Sequence, residues 1–324
     1  MTDTITFHFE GALADDHRMN FYESARFQYA AARLMVKLAQ FRQTGKFVKK
    51  ITNKSNSNIQ LISQSDGSFN INVEDPPQSA SDKPFIDISI SDLIAYVSER
   101  IVEKIDDEDL SEPLKLSRST LKSKRTDTAV TLDNLVESTM SEGQIPSTLP
   151  VPLQDLLKRR IAETHRERRL IQSQHAISKI DFARSQKLIA MSAPLLSEMA
   201  TALRRSANTL EITSSENDLT QSVLFLDQDM AREIETAIVD QEITPILGDI
   251  TQFNKDNGWG KIKIENGAKT VSFSIPFDIL HTMKQKIIDN MKKDLVYLQT
   301  YFVRDRSNEP IRLIAVGILP TPLA

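Results

Sequence analysis

The sequence predicts an α+β protein: an N-terminal β-α-β-β-β-α domain, long central helices and a C-terminal five-stranded small barrel. Three observations carry this. Residues 4–10 alternate strictly, with Ile5, Phe7 and Phe9 on one face and Thr6, His8 and Glu10 on the other. Residues 152–207 have helical composition and contain no glycine. Residues 248–275 read as three short strands joined at Asp256-Asn257-Gly258 and at Glu265-Asn266-Gly267-Ala268, the compositions that tight antiparallel turns demand. With 40% hydrophobic and 26% charged residues, a chain of 324 can build ordinary cores and divide into two or three domains.

The first strand leads through a loop bearing Gly11, Asp15, Asp16 and His17 to an amphipathic helix that starts near Asn20. In that helix Phe27, Ala31, Leu34, Leu38 and Phe41 recur at steps of four and three, and Gly45 stops it. Strands are expected at 47–52, 58–63 and 68–73, the last two joined by Ser65-Asp66-Gly67. Ser91 is placed to cap a second helix with Ile94, Val97, Ile101 and Ile105 on its apolar face. This domain is expected to occupy residues 1–110.

Residues 111–150 hold thirteen Ser or Thr and prolines at 113, 146 and 150, so they read as a linker, with room for a short helix at 133–140. Its basic run, Lys115, Arg118, Lys122, Lys124 and Arg125, reads more simply as a solvated tether than as a phosphate site. The helical stretch 151–210 follows, expected as one helix of nearly forty residues from Leu153 until Pro194 ends or kinks the run. Its apolar positions, among them Leu153, Leu157, Ile161, Ile171 and Ile177, are too sparse for a coiled coil, so packing on neighbours or on a second copy is expected. Between Lys158 and Arg169 six Lys or Arg oppose Glu163 and Glu167, a local +4. Around a helix these charges spread, which favours a solvated, partly salt-bridged face over a nucleic-acid patch. Residues 211–324 are read as a strand at 223–226, a helix capped by Asp227 or Asp229, and then the barrel.

The barrel segment resembles the cold-shock domain, an OB-type barrel. Gly248, Ile250, Phe253 and Asn254 match that family's opening strand, and Gly258, Trp259, Gly260 and Ile262 match its glycine-aromatic strand. Val271-Ser272-Phe273-Ser274 follows at the family's spacing; the resemblance covers about thirty residues of 324. A helix at 278–291 and strands at 295–303 and 311–319, joined by a loop over Arg304 to Pro310, complete the OB order of three strands, a helix and two strands. The family stacks bases on exposed aromatics. Here Gln252, Lys261, Ser272 and Ser274 stand in most of those positions, which leaves Trp259 as the stacking candidate.

Chemistry is sparse. There is no cysteine, hence no disulfide, thiolate zinc site or cysteine nucleophile, and the five histidines have no metal-ligand spacing. No P-loop, GxGxxG, GxSxG or HExxH is present, so no cofactor and no metal are expected. The polar start and the lack of any apolar run of about 18 residues fit a cytoplasmic protein without a membrane span. The one catalytic constellation to be assembled is Asp15, Asp16 and His17 with His8 and Glu10; the plainer reading places the aspartates at the next helix N-terminus, where negative charge is favoured.

The N-terminal pattern ITFHFEGALADDHRMNFYESARFQYAAARL, with the later GSFNINV, is similar to a group of uncharacterised bacterial proteins. That implies a bacterial origin and brings no catalytic residue; no residue carries a place in antiviral defence. Two functions fit. The first is a non-enzymatic binding or assembly protein, a bacterial complex subunit acting through protein-protein contacts, with a homo-oligomer or protein partner held through helices 152–207. The second is a nucleic-acid-binding protein using Trp259, Lys261, Lys263, Lys269, Arg304 and Arg306 on the barrel, which carries eleven Lys or Arg against eight Asp or Glu from residue 243 onward. In that reading Arg159, Arg160 and Arg166 of the basic helix form an electrostatic arm. The net charge of −4 opposes a globally basic nucleic-acid binder and leaves local patches open.

Overall fold

The computed structural model describes residues 3–62, 69–75, 83–104, 132–142, 145–146, 149–216, 219–240, 242–264, 270–293, 295–305 and 308–320. The linker's basic run, Ile105, the Ser65-Asp66-Gly67 and Glu265-Ala268 turns, Lys269 and Arg306 lie outside the described residues.

Strand β1 (Asp3–Glu10) buries Ile5, Phe7 and Phe9 on one face, as its alternation requires. It is the central strand of a five-stranded antiparallel sheet. On one edge lie β2 (Gln60–Ile62) and β3 (Asn70–Asp75), with β3 paired to β1; on the other, β4 (Thr209–Glu216) pairs with β1 and β5 (Leu219–Asp227) pairs with β4. Residues that the sequence reading groups with the helices and the barrel therefore complete the N-terminal sheet. A central strand must satisfy the backbone groups on both of its edges, and β1 draws its second partner from two hundred residues downstream. The expected strand at 47–52 does not form. The ring of Phe47 lies 5.1 Å from that of Phe41, which holds this segment against the end of the first helix.

Helix α1 (Phe21–Thr44) is capped by Asn20, whose side chain accepts from the backbone N–H groups of Tyr22 and Glu23; Asp15 and Asp16 belong to the preceding 3-10 turn (Ala12–Asp16). Phe27, Ala31, Leu34, Leu38 and Phe41 are all buried. Helix α2 (Ile90–Ile101) is capped by Ser89 in a capping box with Asp92, while the Ser91 hydroxyl donates to Asp3 instead. After α3 (Leu132–Glu142) comes α4 (Val151–Gln172), a single turn α5 (Gln174–Ile177) and α6 (Phe182–Ala200). The expected long helix breaks at 173–181, where Asp181 caps α6, and Pro194 sits inside α6. Burial of Leu188, Ile189, Leu195, Leu196 and Met199 in one core outweighs the hydrogen bond that Pro194 cannot make.

Helix α4 runs along the free edge of β5, where the Ser222 N–H donates to His165 Nδ1 at 3.1 Å. Leu153 and Leu157 pack with Val136 of α3, and Leu170 and Ile177 enter the main core, so most of these apolar positions pack on neighbours within the chain while Ile171 stays exposed.

Asp227 caps α7 (Gln228–Thr236), and the short β6 (Ile238–Val239) leads to the barrel. Strands β7 (Thr244–Phe253), β8 (Trp259–Ile264) and β9 (Thr270–Ser274), helix α8 (Phe277–Asn290), and strands β10 (Val296–Arg304) and β11 (Pro310–Leu319) appear in the expected order. The sheet closes in the order β7-β8-β9-β11-β10-β7, with β9 and β11 parallel and every other pair antiparallel. This closed five-stranded mixed barrel is compatible with an OB-like barrel. Ile250, Ile262, Phe273, Leu298 and Leu313 fill it, while Tyr301, Val303 and Ile314 face the N-terminal core.

Candidate functional site

Of the barrel residues predicted to bind nucleic acid, Trp259, Lys261 and Arg304 have partners within the fold and Lys263 shows none among the described residues, while Lys269 and Arg306 lie outside them. Trp259 is only 3% exposed, so its ring offers no open stacking face, and its backbone N–H donates to Asn257 Oδ1. Lys261 Nζ lies 5.2 Å from the centre of that ring; Lys263 is exposed. Arg304 pairs with Asp240 at 3.1 Å and stacks on Phe302.

The basic helix is a structural element of a charged seam between barrel and body. Arg166, 2% exposed, donates to Glu99 at 2.9 Å, and Arg160 pairs with Glu163 at 3.1 Å. Arg159 donates to the Glu103 carbonyl at 2.8 Å. Glu99 also meets Lys104 at 2.7 Å and accepts from the Phe277 N–H, the first of α8, so a residue of α2 caps the barrel helix. Beside it Arg100 pairs with Asp278 at 2.5 Å, Lys104 donates to the Asn257 carbonyl at 2.5 Å, and Arg312 pairs with Glu233 at 2.9 Å. Burial tends to raise the Glu99 carboxyl pKa, but Lys104 and Arg166 outweigh this and hold it at about 2. Glu167 is pushed up to about 7 chiefly by burial, which the Lys104 charge 4.0 Å away offsets only in part. His165 is pushed down to about 4 by burial and then by Arg168 and Arg169, which keeps its Nδ1 free to accept from β5.

The first-loop constellation does not assemble. His8 Nε2 meets Glu10 at 3.0 Å and His8 Nδ1 meets Asn70 at 2.5 Å, while Glu10 pairs with Lys158. Asp15 instead accepts from the Gly11 N–H at 2.7 Å. Among the described residues no three His, Cys, Asp or Glu gather as metal ligands.

A different surface gathers unpaired charge. Helix α1 ends where Gly45, at φ 66°, adopts a left-handed conformation and donates to the Phe41 carbonyl at 2.7 Å. A Cβ at Gly45 would stand 2.9 Å from the Phe85 ring, so both conformation and space call for glycine. The chain turns back and sets residues 46–49 opposite the start of α6. Between them lies a cleft of about 790 Å³ with Phe47, Val48 and Met191 among its apolar lining. Five cations line it, Lys37, Lys46, Lys49, Arg184 and Lys187, against the single carboxylate of Asp181, which Arg184 already engages. The four lysines have no carboxylate partner among the described residues. Burial, and then the charge of Arg33, lowers the pKa of Lys37. Two other clefts, of about 610 and 460 Å³, are lined by charges of both signs: Glu137 with Arg168 in one, and Lys255 and Lys284 with Asp256 and Asp278 in the other.

The sequence reading did not single out this site. Its trace in the sequence is the run Lys46-Phe47-Val48-Lys49-Lys50, which overlaps the strand expected at 47–52; the contribution of α6 comes only with folding. Comparison of the chain with protein-family models, with curated proteins and with solved structures gives no match, so neither the cold-shock likeness nor the N-terminal likeness gains support from a relative.

Proposed function

We propose that the protein is a non-enzymatic binding and assembly protein that holds an anionic partner in the cleft between α1 and α6. The observation that carries this reading is the imbalance there: five cations face one carboxylate over an apolar lining, whereas the arginines and lysine of the seam each have an internal partner. Like charges crowded together raise one another's energy, and a bound anion relieves that. The apolar lining adds burial for the non-ionic part of the partner.

As a subunit of a complex, the chain would meet protein partners through exposed positions such as Ile171, because the inward apolar face of 152–177 is already covered. Titration of labelled inorganic polyphosphate at two salt concentrations, followed by anisotropy, tests the cleft. The expected result is binding that weakens steeply with salt and is lost in Lys37→Glu/Lys187→Glu; no binding at low salt sinks the reading. Light scattering on the same sample tests assembly, and a monomer that associates with nothing removes that part.

A further inference from the structure

Resting on the reading of the cleft as an anion site, we propose that its ligand is a single strand of nucleic acid, whose track leaves the cleft along the outer face of α1 over Tyr29 to Tyr22. Tyr22, Arg26, Tyr29, Arg33 and Lys37 recur at steps of four, three, four and four, so they share one face of α1 and form a stripe about 22 Å long at 1.5 Å per residue. The stripe ends at Lys37, a wall of the cleft. Opposite runs α6, antiparallel to α1: Arg26 meets Glu198 at 3.3 Å near one end, and Lys37 and Lys187 line the same cleft near the other. Stripe and cleft are therefore one continuous surface.

The tyrosines decide between polyanions. Tyr22 is 68% exposed and Tyr29 62%, although nothing in the fold requires a large ring in solvent at either place. Each stands with a guanidinium, Arg26 at 5.7 Å from the Tyr22 ring and Arg33 at 5.2 Å from that of Tyr29. A ring beside a cation presents a base with a stacking face and its phosphate with a charge, the combination that single-strand binders use; Arg33 offers that charge, while Arg26 shares its own with Glu198. An acidic peptide would use the lysines and gain nothing from the flat rings. A duplex keeps its bases stacked on each other and out of reach of them. The one carboxylate that α1 carries, Glu23, is buried against Ser206, so the helix sets no negative charge of its own along the stripe.

The test is anisotropy of a labelled oligothymidylate of about 20 nucleotides against the full chain, with a duplex, polyglutamate and inorganic polyphosphate as competitors. Tyr22→Ala/Tyr29→Ala is expected to weaken oligonucleotide binding by about tenfold or more and to leave polyphosphate binding unchanged, with Tyr22→Phe/Tyr29→Phe retaining wild-type affinity. Lys37→Gln/Lys187→Gln is expected to weaken both ligands and to lower the salt slope for the oligonucleotide by about 1.4, at about 0.7 per phosphate contact. The tyrosines are exposed, and unchanged thermal unfolding verifies that their variants fold. Polyphosphate binding with oligonucleotide affinity indifferent to the tyrosines overturns the nucleic-acid assignment and leaves the anion cleft standing. Duplex or polyglutamate competing as well as the single strand overturns it too, and loss of all polyanion binding overturns both readings.

Discussion

Two regions of this molecule use the same residue types in opposite ways. In the seam between body and barrel, Arg100, Lys104, Arg166 and Arg312 are nearly or fully buried and each has a carboxylate within 3 Å. In the α1–α6 cleft, Lys46, Lys49 and Lys187 stand in solvent with no carboxylate partner among the described residues. Charge in the seam fixes the position of the barrel, because each pair also reaches across to backbone or to the other region. Charge in the cleft has no such internal task. A run of basic residues is thus no guide to function until its counter-charges are located.

Four substitutions test this contrast. Glu99→Ala should have the largest effect, because it strips Lys104 and Arg166 of their buried partner and uncaps α8. A loss of about 3–5 kcal/mol is expected in denaturant unfolding, with earlier proteolysis at the barrel junction; a loss comparable to that of a surface substitution would break the distinction. Gly260→Ala probes the barrel itself. Its Cβ would lie 2.5 Å from Phe273 and 2.7 Å from the Gln252 carbonyl, so about 1–3 kcal/mol should be lost through overpacking.

Glu167→Gln gives the seam a pH signature. Because the Glu167 pKa is raised to about 7 in the folded protein, the folded state holds a proton that the unfolded state has released between about pH 4.5 and 7. Its contribution is therefore present below that window and lost as pH rises through it. Glutamine mimics the protonated form, so the variant should match the wild type near pH 4.5 and exceed its stability by up to about 3 kcal/mol at pH 8; identical pH profiles would remove the argument. Smallest of all, Lys187→Ala in the cleft should change stability by no more than about 0.5 kcal/mol while weakening polyanion binding. A large stability loss there would mean that the cleft is structural after all.

Much of the fold was legible because local patterning and tertiary need coincide. The alternation of Ile5, Phe7 and Phe9, the periodicity of α1 and the strand-helix order of the barrel each follow from burying one face. The site was less legible. Trp259 matches a stacking position by spacing alone, yet in the folded chain it is only 3% exposed. Arg159, Arg160 and Arg166 read as a solvated, partly salt-bridged face; the pairs with Glu163 fit that, but the burial of Arg166 against Glu99 does not show locally, because Glu99 lies sixty-seven residues away in sequence.

The sequence by itself determined the first strand, the two helices that follow it, and that an α+β body precedes a five-stranded barrel, since periodicity, caps and turn residues act over a few residues; it placed a strand at 47–52 that does not form and none at 209–216. Only the tertiary structure decided that β4 and β5 complete the N-terminal sheet, that the helix of 153–191 breaks at 173–181, and which cations remain unpaired. The physical reason is common to all three. Strand partners, core burial and counter-charges are satisfied between segments far apart in the chain, so their outcome is written in contacts that no local pattern contains.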